Sequence, residues 1–289
     1  MKVKLFLDRL LTELLPFYPS QEAQQLLFLL FENRFQLTRN QWIINERVFS
    51  EADYQIILPD LKRLQNHEPI QYILNETYFY ERKFYTTPDV LIPRIETEEL
   101  IQYILKQINT SHQKNTKLHI LDIGTGSGCI PITLFHELTH KKIDCDVYAL
   151  DISASALKIA QKNAKELKAN IQFYQLDILK NDLSQLPDFD IIISNPPYVR
   201  ELEKTKMQAN VLNYEPAIAL FVPNDNPLLF YEHITKLANQ KLKQEGKLYF
   251  EINEDFGKET QEILEKYYFH TIHIQEDLHG KNRFVWGQK

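Results

Sequence analysis

Glycine is absent from the first 123 residues of this 289-residue chain, and three of its seven glycines then fall within five positions, Gly124-Thr125-Gly126-Ser127-Gly128. The cluster follows an apolar run, Leu118 to Ile123, and precedes a helical repeat of Ile130, Leu134, Phe135 and Leu138. Glycine there lets the backbone turn sharply after a strand and approach a ligand that a Cβ would exclude. The free N–H groups at the start of the next helix favour a negative group such as a carboxylate. A strand, a glycine loop and a helix in that order commit this part of the chain to an α/β sheet.

The rest of the chain keeps the alternation. Strands are expected at Cys145 to Leu150, Ile171 to Leu176, Phe189 to Ser194 and Leu248 to Ile252. Between them, Leu157, Ala160, Ala164 and Leu167 share one helical face, and further helices are expected near Pro227 to Lys243 and from about Gly257. Such alternation builds a parallel sheet with helices on both faces. Two closing strands, near Phe269 to Ile274 and Arg283 to Trp286, have no helix between them and suggest an antiparallel sheet edge.

The first 75 or so residues read differently. Leu7, Leu10, Leu11, Leu14 and Leu15 recur at helical spacing until Pro16, and Ser20 is placed to cap a helix carrying Ala23, Leu26, Leu27 and Leu30. Ser50 and Asp53 form a capping-box pattern before Ile57, Leu61 and Leu64, with Pro59 a candidate kink. Tyr78 to Ile92, rich in Tyr, Phe, Thr and Val around a polar Glu81-Arg82-Lys83 centre, predicts a β-hairpin. Helical spacing resumes from Glu96 to about Asn109, and a polar loop is expected from Asn109 to Lys117.

Composition excludes several classes. Hydrophobic residues at 44% and charged residues at 25% are those of a soluble globular chain. No apolar run approaches the roughly 18 residues a membrane helix needs, and Leu26 to Phe31 is too short and too deep for a signal peptide. A cytoplasmic location and no membrane partner are expected. Two cysteines, Cys129 and Cys145, and nine scattered histidines show no metal-ligand spacing, so no metal is expected. A net charge of −6 argues against a chain whose main task is gripping phosphate backbones, and no direct nucleic-acid partner is expected.

Asp151 ends the second strand about 27 residues beyond Gly124. An acid in that place accepts hydrogen bonds from the ribose hydroxyls of an adenosine moiety, although it could also cap the next helix, where Ser153 competes. A nicotinamide enzyme uses the same geometry, but its Gly-x-Gly-x-x-Gly fingerprint meets Cys129 at the third position. The Gly-x-Gly-x-Gly spacing is instead the one seen in methyltransferases. S-adenosyl-L-methionine is therefore the expected cofactor, held by Asp122, Gly124, Thr125, Gly126, Ser127, Gly128 and Asp151.

The strand Phe189 to Ser194 runs directly into Asn195-Pro196-Pro197-Tyr198. By itself this could be a proline-rich turn; after such a glycine loop it reads as a catalytic tetrad. A sulfonium methyl is already electrophilic, so the remaining task is to orient the acceptor for in-line attack. An amide nitrogen is a poor nucleophile because its lone pair is delocalised into the carbonyl. Two acceptors facing its N–H bonds fix its plane and stabilise the developing positive charge. The Asn195 side-chain oxygen and the Pro196 carbonyl can serve, with Pro197 holding Pro196 extended and Tyr198 offering an aromatic face. Glutamine amides and the exocyclic amines of adenine and guanine all present such a planar group, so the tetrad leaves the acceptor open.

The chain resembles the release-factor glutamine methyltransferases, the PrmC or HemK family. The matching stretches are Glu68 to Ile73, Leu91-Ile92-Pro93-Arg94-Ile95-Glu96-Thr97-Glu98, Leu121 to Gly128, Asn195 to Val199 and Tyr214-Glu215-Pro216. The likeness runs from about residue 60 to the C-terminus, and the family commonly has Pro where Ile95 stands. It implies a Rossmann-like class I methyltransferase domain at 96–289, a helical substrate-binding domain at 1–75 and a hairpin linker at 76–95. It also implies transfer to the N5 amide of the glutamine in the Gly-Gly-Gln motif of peptide chain release factors. Asp177 and Ile178 would then lie against adenine, and Asn195 would touch both cofactor and substrate. Arg94, Glu96 and Glu98 could form an ion-pair loop of purely structural value, whereas the resemblance favours a loop that covers the cofactor. The competing readings are a nucleic-acid amino-methyltransferase and a cofactor-binding module without activity.

Overall fold

The computed structural model describes residues 2–38, 48–111 and 117–289, and the side chains of 109–111 are not among those described. The chain forms two compact units. One is Met1–Glu76 with Gln208–Tyr214, and the other is Thr77–Met207 with Glu215–Lys289.

The first unit contains α1 (Val3–Leu14), α2 (Ser20–Phe35), α3 (Glu51–Gln65), the short α4 (Ile70–Leu74) and, returning later, α8 (Ala209–Tyr214). Its core joins Phe6, Leu10 and Leu14 of α1 to Leu27, Leu30 and Phe31 of α2 and Ile57, Leu61 and Leu64 of α3. The α1 stripe is thus Val3, Phe6, Leu10 and Leu14, a four-residue beat that leaves Leu15 exposed. Ser20 is the first residue of α2 rather than its cap, because Pro19 precedes it with no side-chain bond to the helix. The Ser50–Asp53 capping box is complete: the Asp53 N–H donates to Ser50 Oγ at 3.2 Å and the Ser50 N–H to Asp53 Oδ2 at 2.8 Å. Helix α3 runs through Pro59. Buried Asp60 is held by both Nε and Nη2 of Arg34, at 2.6 and 3.1 Å. The Tyr214 hydroxyl donates to the Asn66 carbonyl at 2.9 Å.

The second unit opens with a hairpin, β1 (Glu76–Phe79) and β2 (Arg82–Tyr85). Its turn is Tyr80-Glu81, both with positive φ (48° and 62°), so the polar centre expected at Glu81 to Lys83 shifts by one residue. The strands stop at Tyr85, and 86–94 is not strand. Helix α5 (Ile95–Ser111) outruns its expected end, and residues 112–116 of the loop expected there lie outside the described residues.

Then follow β3 (Leu118–Ile123), α6 (Cys129–His140), β4 (Cys145–Asp151), α7 (Ala154–Glu166), β5 (Ile171–Gln175) and β6 (Phe189–Ser194). Two-residue strands β7 (Val199–Arg200) and β8 (Phe221–Val222), with α9 (Ala217–Leu220) before the latter, were not anticipated. The chain ends with α10 (Leu229–Lys241), β9 (Leu242–Glu251), α11 (Gly257–Lys266), β10 (His270–Glu276) and β11 (Asn282–Gln288).

The seven-stranded sheet has the order β10-β11-β9-β6-β3-β4-β5, parallel from β9 to β5 and antiparallel where β11 meets β9 and β10. One face carries Leu100, Ile101 and Ile104 of α5 with Ile130 and Leu134 of α6. The other carries Tyr231, Ile234 and Ala238 of α10 with Leu264 of α11. This is the Rossmann-like α/β architecture the alternation implied. Its strand order reverses between β3 and β6, where sheets of this kind bind ligands beyond the strand ends. No described helix is long and apolar enough to cross a membrane.

Candidate active site

A cavity of about 330 Å³ opens at the carboxyl ends of β3, β4, β5 and β6. Its wall includes Gly124 and Gly126, Asp151 to Ser153, Leu176 to Leu179, and Asn195 to Pro197. Three further segments lie on it: Asp89 to Leu91, Pro216 with Ile218 and Ala219, and Phe230 with Ile234; of these, Leu91 and Pro216 belong to the stretches that carry the family resemblance.

The glycine loop is shaped by its own backbone. Gly124, Gly126 and Gly128 have φ of +77°, +53° and +80°, the left-handed region in which a Cβ is costly. Over Gly124 and Gly126 there is open space, as a surface reserved for a ligand requires. Gly128 answers a different need: a Cβ there would meet Ala160 Cβ and Ile132 Cδ1 at 3.1 Å. From α7, Asn163 donates to the Ser127 carbonyl at 2.9 Å and accepts from the Tyr85 N–H at 2.7 Å, tying the loop to β2. Nothing in the local sequence marked that asparagine.

Asp151 takes the Gly126 N–H on Oδ2 and the Ser153 N–H on Oδ1, each at 2.9 Å. It thus braces the loop, while Ser153 itself caps α7 through the Ala156 N–H at 3.2 Å. Burial raises the Asp151 pKa, against the pull of those backbone N–H groups. Asp122 lies wholly buried behind the loop, and neither of its oxygens nor Thr125 Oγ1 finds a partner in bonding geometry. Burial pushes its pKa up to about 7, against a smaller pull from the Thr125 hydroxyl. Asp122, Thr125, Ser127 and Gly128 do not line the cavity. Beyond β5, Asp177 is on the wall with Ile178, and its carboxylate accepts from Lys180 Nζ at 2.9 Å and the Leu179 N–H at 3.0 Å. Lys180 is the main reason its pKa is lowered.

At β6, Ser194 Oγ donates to the Ile123 carbonyl at 2.8 Å, locking the strand end against β3. Asn195 Nδ2 donates to Thr97 Oγ1 at 3.3 Å, and Thr97 Oγ1 donates to Glu251 Oε2 at 2.7 Å. Tyr198 is not on the cavity wall: its hydroxyl donates to Glu251 Oε1 at 3.3 Å, and its carbonyl accepts from Asn253 Nδ2 at 3.3 Å. Burial raises the Glu251 pKa, opposed by the Thr97 hydrogen bond and the nearby Arg283 guanidinium. Arg94 pairs with buried Glu215, its Nη2 at 2.7 and 2.8 Å from the two carboxylate oxygens, rather than with Glu96 or Glu98. Glu98 instead accepts the Tyr80 N–H at 2.8 Å.

The residues present suit an adenosine ligand carrying a polar head. The ligand-facing glycines are bare, a half-buried carboxylate stands at the end of β4, and apolar Ile152 and Ile178 line the space. Among the described residues no group of three or more His, Cys, Asp or Glu could hold a metal ion.

Comparison with known proteins agrees with this geometry. Residues 114–268 match a methyltransferase domain model, and residues 12–74 match the PrmC N-terminal domain. A release factor glutamine methyltransferase of Flavobacterium psychrophilum is 42% identical over 289 residues, covering 99% of this chain and 98% of that protein. One of Bacteroides thetaiotaomicron is 46% identical, covering 77% of each. Among solved structures, a Thermus thermophilus 16S rRNA N2 G1207 methyltransferase in complex with AdoMet and guanosine shares the fold. Its TM-score is 0.51 at 15% identity, over 74% of this chain and 49% of that one.

Proposed function

Because this chain belongs to the release factor glutamine methyltransferase family, we propose that it methylates the N5 amide of the glutamine in the Gly-Gly-Gln motif of peptide chain release factors. Its methyl donor is S-adenosyl-L-methionine. The observation that carries the reading is one cavity walled on one side by bare glycines and Asp151 and on the other by Asn195, Pro196 and Pro197. When bound, the cofactor supplies a methyl group already made electrophilic by its sulfonium.

The protein's part is then binding and orientation. Gly124 and Gly126 give the cofactor close access to backbone, and Asp151 has lone pairs left for ribose hydroxyls after its two backbone bonds. Asp177 and Ile178 flank the adenine end. Asp122, Thr125, Ser127 and Gly128 act from behind, by shaping the loop. Asn195 Oδ1 and the Pro196 carbonyl accept the two N–H bonds of the glutamine amide, fixing its plane and favouring positive charge on nitrogen as it attacks. No strong general base is required, because the nitrogen becomes acidic as its new bond forms. Tyr198 serves by steadying the turn. The helical unit grips the release factor, and the reaction takes place in the cytoplasm.

The test is a labelled-methyl assay on purified release factor with the motif glutamine intact or replaced. Label is expected on the intact factor alone. Equal labelling of the replaced factor, or preferential labelling of RNA or DNA, would overturn the reading.

A further inference from the structure

A side-chain amide has two ends that differ in chemistry and hardly at all in shape. Asn195 can accept an N–H bond from substrate only if Oδ1, and not Nδ2, is presented. Inside the protein something must choose. The Thr97 hydroxyl has a single proton, and the two groups within its reach are Asn195 Nδ2 at 3.3 Å and Glu251 Oε2 at 2.7 Å. Glu251 is 1% exposed, and its carboxylate is satisfied by two hydroxyls, Thr97 on one oxygen and Tyr198 on the other. An ionised carboxylate only accepts, and two hydroxyls directed at Glu251, one on each oxygen, are the donors its charged form requires. The Thr97 proton therefore points to Glu251, and Thr97 Oγ1 is left as an acceptor. An acceptor beside Asn195 selects Nδ2 and turns Oδ1 the other way.

Resting on the methyl-transfer reading above, we propose that Thr97 and Glu251 are positioning residues: the buried carboxylate sets the Thr97 hydroxyl, which sets the Asn195 amide with its oxygen toward the acceptor nitrogen. The same carboxylate holds both ends of the tetrad, Asn195 through Thr97 and Tyr198 directly. It also gives Thr97, within the Ile-Pro-Arg-x-Glu-Thr-Glu stretch, a task in the reaction although it does not line the cavity.

Thr97→Val keeps the shape and removes the hydroxyl. It is expected to lower kcat by about tenfold or more, the modest end of what losing one aligned polar group costs. KM for release factor and Kd for the cofactor should stay within about twofold, since neither ligand meets Thr97. Thr97→Ser, which restores the hydroxyl, is expected to recover kcat to within about threefold of the parent. Glu251→Gln can donate to Thr97 and so removes the polarity; it should lower kcat in the same way, and covers the case in which Thr97→Val does not fold.

A second measurement needs no substrate. In 15N-asparagine-labelled protein the Asn195 side-chain protons should be protected from solvent exchange, and Thr97→Val should remove that protection. Unchanged protection in Thr97→Val, kcat within twofold of the parent, or an equal loss in Thr97→Ser overturns the proposal. If the parent protein fails to label release factor, the functional reading falls, and the exchange measurement still decides whether Thr97 sets the amide.

Discussion

Asn195 and Asp122 stand at opposite extremes of what a polar residue can do at the end of a strand. Asn195 follows β6 directly, half-buried and outside the sheet, so Asn195→Ala is expected to keep the fold within a few degrees of Tm. It should lower kcat by roughly 10²- to 10³-fold, the range seen when one aligned group is taken from a charge-stabilising site. Activity within a few-fold of the parent would refute the two-acceptor arrangement. Asp122 is buried with both oxygens unpartnered, and its pKa rises from an ordinary 3.8 to about 7. Below pH 4 it is protonated folded or unfolded and contributes no slope. Between 4 and 7 the folded chain holds a proton that the unfolded chain has released, so stability falls as pH rises, and the full cost is reached above 7. That cost is of order 4 kcal/mol at most. Half-buried Asp151 and buried Glu251, also raised, act in the same direction. Urea denaturation of Asp122→Asn at pH 5 and pH 8 should show a smaller loss between the two than the parent shows. An unchanged difference would mean Asp122 is not the group responsible.

The glycine loop separates two demands that one motif makes on one element. At Gly128 an added Cβ meets α7 at 3.1 Å in a conformation with φ of +80°. Gly128→Ala should therefore cost stability twice over, about 1–3 kcal/mol for a small-to-large change in a packed site and about 1–2 kcal/mol more for the left-handed φ. At Gly126 the space is open and only the φ of +53° objects. Gly126→Ala should cost about 1–2 kcal/mol of stability from φ alone and act mainly on cofactor affinity by calorimetry. Equal losses of affinity in both variants would show that the loop does not divide its roles this way. The same contrast explains what could be read from the chain beforehand. Strand β3, the loop, Asp151 and the tetrad were legible because each is contiguous and has a local physical reason. The α/β class was legible because period-two runs alternate with helical ones. Asn163, Thr97 and Glu251 were not, because their meaning lies in partners 36, 98 and 154 positions away. The end of the hairpin was legible and missed: Pro88-Asp89 breaks the run from Thr86 to Ile92, and 89–91 lines the cavity instead of a ladder.

At the scale of the whole molecule, chain order and compact units do not coincide. The chain leaves the second unit after Met207, gives Gln208–Tyr214 to the first, and returns at Glu215. Tyr214 donates to Asn66 within the first unit, and the next residue, Glu215, is buried against Arg94 within the second. Pro216, Ile218 and Ala219, which line the cavity, follow immediately. A chain begun at Thr77 keeps every residue of the cavity wall and both faces of the sheet, but strips 208–214 of its partners. Such a chain is expected to fold and to bind S-adenosyl-L-methionine within about threefold of the parent, since the whole cavity wall is retained. It should lose transfer to release factor if the helical unit grips that substrate. It should also become more sensitive than the intact protein to limited proteolysis within 208–214. Full activity without the helical unit would refute its proposed grip on the substrate. Loss of cofactor binding would show that the second unit depends on the first for its fold.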